Sequence, residues 1–143
     1  MKSHVSVLVP EDCQEIHSSL TRILERHRLD EDDVESIRAH HWDYWYFPTG
    51  NGLEDSRIRE AFPRESEEIH RHASYVTDLP DDYCTSAIIT EHEGWIDIQD
   101  FGWRMIDEPC QANREAAAKW EVRMAEILES HSHKICVQII THC

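Results

Sequence analysis

Apolar residues alternate along 4–9, where Val5, Val7 and Val9 share one face and Leu8 lies on the other. That period of two predicts a first strand, which Pro10 ends. Glu11 and Asp12 then offer negative charge to the amino end of a helix, where the helix dipole favours it. Cys13, Ile16, Leu20, Ile23, Leu24 and His27 recur at three- and four-residue steps, which predicts a helix over about 11–27. Asp30, with Asp33 three residues on, reads as a second helix start, short because only Val34 and Ile37 give it an apolar face. The aromatic run from His41 to Phe47 predicts a strand. Its alternation puts Trp42, Tyr44 and Tyr46 on one face, with Asp43, Trp45 and Phe47 on the other.

Pro48 to Gly52 reads as a loop, supplied with residues that tolerate positive φ. Within residues 53–75, Asp55 to Phe62 predicts one helical turn or two and Arg64 to Ala73 another, with Ile69 as its only strong anchor, the whole an insertion lying on the surface. Pro80-Asp81-Asp82 signals a turn. Tyr83 to Thr90 follows as a strand, Glu91 to Gly94 as a hairpin loop and Trp95 to Ile98 as the return strand. Residues 99–106 extend that sheet past a bulge at Gly102. Ala116, Ala117, Trp120, Met124, Ile127 and Leu128 stripe a helix over about 111–129, and residues 133–141 form a last buried strand.

Strand, helix, strand, insertion, hairpin, helix and strand in that order predict one α+β domain over residues 1–143. The expected plan is ferredoxin-like: two strand–helix–strand units on one sheet, helices on one face, and a central helical insertion. A chain of 143 residues suits one domain with its own core. No apolar run reaches the roughly 18–20 residues that span a bilayer, and the short apolar start is followed at once by acids, so a soluble protein of the host cell cytoplasm is expected. Five widely spaced cysteines without a C-x-x-C point to reduced thiols rather than a disulfide framework.

Charge changes the picture most. The chain carries 29 acidic against 14 basic residues, a net −15, beyond the magnitude of about 2–8 usual for a small domain. Both halves share the excess, and from Arg71 to Arg104 no Lys or Arg occurs at all. That interval holds Asp78, Asp81, Asp82, Glu91, Glu93, Asp97 and Asp100. Direct nucleic-acid binding needs cations that displace counterions from phosphates. This chain repels nucleic acid and is attracted to basic surfaces, including those of proteins that bind nucleic acid.

Four stretches carry a family resemblance: HVSVLVP (4–10), HWDYWY (41–46), SAIITEHEGWIDIQDFGW (86–103) and CVQIITHC (136–143). Together they resemble small phage-borne proteins of unassigned activity that open with a strand ending in Val-Pro. Those proteins carry a Trp-Asp-Trp-Tyr stretch, then Gly-x-Trp and Gly-Trp, and close with Asp-Cys-His. The match covers about half of the chain. Residues 47–52 read FPTGNG where that family has Gly-Gly-Arg-Trp, and Thr141-His142-Cys143 replaces the closing Asp-Cys-His. The resemblance implies a phage or mobile-element origin and, with it, roles such as inhibiting a host defence. It transfers no functional residue.

The expectation is therefore an interaction protein that binds a basic host protein, a nucleic-acid-binding defence enzyme, and inhibits it as an acidic DNA mimic of the anti-CRISPR or anti-restriction kind. No catalytic residue and no cofactor are assigned. The seven acids between Arg71 and Arg104 are the leading contact set, with Asp30, Glu31, Asp32 and Asp33 next and Tyr44 or Tyr46 as an aromatic anchor. A homodimer is compatible with the sequence. The alternative is a metal-binding protein or small metalloenzyme, because eleven histidines include the pairs His40/His41, His70/His72 and His131/His133, with His142 beside Cys143. No H-E-x-x-H, P-loop, Gly-x-Gly-x-x-Gly or Gly-x-Ser-x-Gly occurs.

Overall fold

In the first strand, β1 (Lys2–Pro10), Val5 to Val9 are all buried. Successive side chains point to opposite faces, so both faces of the sheet must be covered. The computed structural model describes residues 2–29, 32, 42–50, 52–106 and 110–142. Within them the chain is one α+β domain with four α-helices and a mixed six-stranded sheet. The helix expected from Asp30 onward lies outside the described residues.

The last strand, β6 (Lys134–His142), runs antiparallel to β1 along its full length, from Lys2 opposite His142 to Pro10 opposite Lys134. On the other side β4 (Ala87–Thr90) lies parallel to β1, with Val5 opposite Ala87. β5 (Gly94–Asp97) returns antiparallel to β4 at the sheet edge. Two short strands, β2 (Tyr44–Tyr46) and β3 (Ala73–Tyr75), both pair antiparallel with β6 on its outer side.

The class is the expected one, but two features of the ferredoxin-like plan are replaced. In a split β-α-β unit the return strand of the hairpin lies between the two parallel strands. Here β4 meets β1 directly and β5 stays outside. The burial of the two strands gives the reason: all four residues of β4 are buried, whereas all four of β5 are only partly so. Nor are the helices confined to one face. α1 (Ile16–Glu25), α2 (Ser56–Ala61) and α3 (Glu67–His72) pack Ile16, Leu20, Ile23, Leu24, Ile58 and Ile69 against Val5, Val7 and Val9. α4 (Gln111–Ser130) packs Trp120, Met124 and Ile127 on the opposite face, against Leu8, Ile88 and Cys136.

The segment expected to lie on the surface is part of the core. Ile58 and Ile69 are completely buried, each worth about 1.5–3 kcal/mol as a buried aliphatic side chain. The same segment supplies β3 to the sheet. It also caps α1. That helix begins at Ile16, past Glu11 and Asp12, and the Ile16 N–H donates to the Glu65 carboxylate. A carboxylate from the middle of the chain thus replaces the local acids expected at this helix end. Trp42 leaves the face shared by Tyr44 and Tyr46: it is buried in the α1-side core, where its indole N–H donates to the Leu24 carbonyl at 2.7 Å. Gly102 does not form the expected bulge: with φ 98° it terminates a 3-10 turn over Ile98–Phe101. Among the described residues no helix is long and apolar enough to cross a membrane.

Candidate functional site

The seven acids between Arg71 and Arg104 do not form one patch. β5 lies at one edge of the sheet, and Asp78, in the 3-10 turn after β3, lies at the other. Glu91 and Glu93 sit in the turn before β5, while Asp97 and Asp100 sit at its far end. Most of the seven already have partners. Arg57 holds Asp78 at 2.8 Å, Arg22 holds Glu91 at 3.1 Å and Arg123 holds Glu93 at 3.1 Å. Asp97 accepts the Gln99 N–H at 2.7 Å and the Trp95 indole at 3.2 Å, and the Asp97 N–H donates to Asp100 at 2.9 Å. This reciprocal capping makes both acids part of the local framework. Of the second set, Asp32 is exposed, and Asp30, Glu31 and Asp33 lie outside the described residues.

Asp81 and Asp82 are different. They occupy the two corners of a turn closed by the Tyr83 N–H on the Pro80 carbonyl at 3.0 Å, and both are exposed. Asp81 lines a groove of about 260 Å³ between the Val76–Tyr83 segment and the carboxyl-terminal half of α4. Val76, Leu79, Ala125 and Leu128 provide apolar lining, and Glu129 provides a second carboxylate. Neither Asp81 nor Glu129 enters an ion pair among the described residues. The walls are held from beneath. The Tyr83 hydroxyl meets Ser6 Oγ at 2.6 Å, Ser6 meets Thr85 at 2.7 Å, and the Trp120 indole donates to the Thr85 carbonyl at 2.7 Å. Burial pushes the Tyr83 phenol well above its ordinary range, so it stays neutral in this network. Glu129 was absent from the acids chosen by sequence. The available signal was local: α4 has no basic residue in its last turn, where a helix favours cations.

The two tyrosines lie elsewhere. β2 is separated from β5 by four strand spacings of about 4.8 Å each. Tyr44 is 49% exposed and stacks on His142 with ring centroids 4.6 Å apart. His142 Nδ1 faces Asp43 Oδ1 at 2.9 Å, and this partner holds the Asp43 carboxyl below its ordinary 3.8. Lys2 Nζ sits 5.8 Å from the centre of the Tyr46 ring. The tyrosines thus belong to a small His–Asp–Tyr cluster, not to the acid-bearing edge.

The histidine pairs disperse. His70 Nε2 meets the Phe62 carbonyl at 2.7 Å, while His72 is buried against Phe47 with its Nδ1 unpartnered. His131 turns back on the Ile127 carbonyl at the end of α4, and His142 is at the far end of β6. His40, His41 and Cys143 lie outside the described residues. Among the described residues no three His, Cys, Asp or Glu side chains gather as a metal set. Cys13, Cys84, Cys110 and Cys136 are free thiols. Burial raises Cys84 and Cys13 and pushes Cys136 up to about 11, the reverse of what an activated nucleophile needs. No protein family, no curated protein and no solved structure matches this chain.

Proposed function

We propose that this chain is an interaction protein of phage or mobile-element origin. It binds a basic, nucleic-acid-binding host protein and inhibits it as an acidic mimic of nucleic acid, in the manner of an anti-CRISPR or anti-restriction inhibitor. The observation that carries the reading is a net charge of −15 mounted on a sheet packed on both faces. A frame of that kind holds carboxylates at fixed separations, so little ordering entropy is lost when a partner docks. The arginine pairs leave the hairpin acids usable. Ion pairs between exposed side chains are worth about 0–1 kcal/mol, so cations of a partner compete readily with Arg22 and Arg123.

The test combines capture with function. Host proteins retained at low salt are eluted with a salt gradient, and each is assayed for nucleic-acid binding with the chain added back. A nucleic-acid-binding protein that elutes at moderate salt and then loses its ligand to the chain supports the reading. A partner held unchanged at about 1 M salt, where the Debye length is about 3 Å, overturns the charge-based mechanism, and so does the absence of any basic partner.

A further inference from the structure

The groove beside α4 has a size and a chemistry that single out one kind of occupant. Its volume of about 260 Å³ falls below the roughly 300–1,000 Å³ of small-molecule sites and suits one long side chain. Leu79, Ala125 and Leu128 offer an apolar lining, the surface along which the methylene stem of a lysine or arginine packs. Asp81 and Glu129 line the same groove with carboxylates that have no cation of their own among the described residues. Of the lysines and arginines flanking Glu129 in the chain, Arg123 is paired with Glu93 and Glu126 and Lys134 forms no ion pair among the described residues, while the nearer His131 turns back on the Ile127 carbonyl.

The helix adds to the field. The carboxyl end of α4 carries partial negative charge, and its last turn contains Glu129 and no basic residue. Placing an acid there works against the stability of the helix, and a cation in the groove reverses that penalty. The groove is also preorganised, because Trp120, Met124 and Ile127 fix one wall and the Tyr83–Ser6–Thr85 network fixes the other.

We infer that this groove receives an arginine or lysine side chain of the basic partner protein, an inference that rests on the function proposed above. The test titrates fluorescein-labelled octa-arginine into the intact chain at low salt. Two double variants of equal net charge are compared: Asp81→Asn with Glu129→Gln, and Glu91→Gln with Glu93→Gln. The first is expected to weaken binding about tenfold and the second less than about twofold. Equal losses in the two variants overturn the groove and leave the acidic-mimic reading standing. A wild-type chain that does not bind octa-arginine at low salt overturns both. An amide chemical-shift map of the wild-type complex provides a readout independent of the variants. Changes centred on Leu79–Tyr83 and Ala125–Ser132 support the groove, and changes centred on Glu91–Glu93 overturn it.

Discussion

The β4–β5 hairpin edge and the Pro80–Tyr83 turn look alike in sequence. Both fall in the interval from Arg71 to Arg104, and both are acidic without a nearby Lys or Arg in the sequence. The fold treats them differently. At the hairpin edge Glu91 and Glu93 are tied to Arg22 and Arg123, and Asp97 and Asp100 cap each other's backbone. At the Pro80 turn Asp81 and Asp82 project from the corners and meet no described cation. A count of charges treats all six as equal. The structure separates carboxylates engaged by arginines or backbone donors from carboxylates that meet no described cation.

Asp55 marks the extreme of the first kind, and its removal should have the largest effect. The buried carboxylate accepts the Arg57 N–H at 3.0 Å, the Tyr75 N–H at 3.0 Å and the Ser74 hydroxyl at 3.2 Å, joining α2 to β3. Asp55→Ala should destabilise the chain by about 3 kcal/mol in urea unfolding, because several inward-facing donors lose their acceptor together. A loss below about 1 kcal/mol would remove Asp55 from the framework. Burial works to raise this carboxyl, but the donors from Tyr75, Arg57 and Ser74 outweigh it, and it ends below its ordinary 3.8. Its contribution is therefore present above pH 3.8 and lost as pH falls through the lower folded value.

His72 brings the next effect, at a higher pH. Burial holds its imidazole below the ordinary 6.5 despite a hydrogen bond with the Pro48 backbone. The neutral ring is enclosed so closely that a Cβ added at Gly52 would lie 2.4 Å from Nδ1. Folding favours the neutral form, so stability is full above pH 6.5 and falls as pH drops below it. Thermal unfolding measured from neutral pH down toward 5 should show this decline, and His72→Gln should flatten it. An unchanged slope in that variant would assign the titration to another histidine.

Asp97→Ala sharpens the comparison at the hairpin edge itself. Loss of its reciprocal cap should lower stability by about 1 kcal/mol. Asp81→Asn should shift stability by no more than about 0.5 kcal/mol in either direction, and urea midpoints of the two variants measured side by side check both. If the two fall equally, the division between framework acids and free acids collapses.

The elements that the sequence alone made legible are those whose signal is local. The alternation of Val5, Val7 and Val9, the stripe of Trp120, Met124 and Ile127, the Pro80 turn and the Glu91–Gly94 hairpin all appear within a residue or a few of their predicted places. Such signals arise from the pleat of a strand and the pitch of a helix, which act over a few residues. Tertiary structure alone decided what depends on distant partners. Glu65 caps Ile16 from 49 residues away, Glu91 meets Arg22 across 69, and Tyr83 meets Ser6 across 77. Strand order has the same origin: β4 rather than β5 lies beside β1 because only β4 can be buried on both faces. The charge of −15 was determined by the sequence. Which carboxylates remain without a partner was determined only when packing brought arginines to some of them and left Asp81 and Glu129 on one groove.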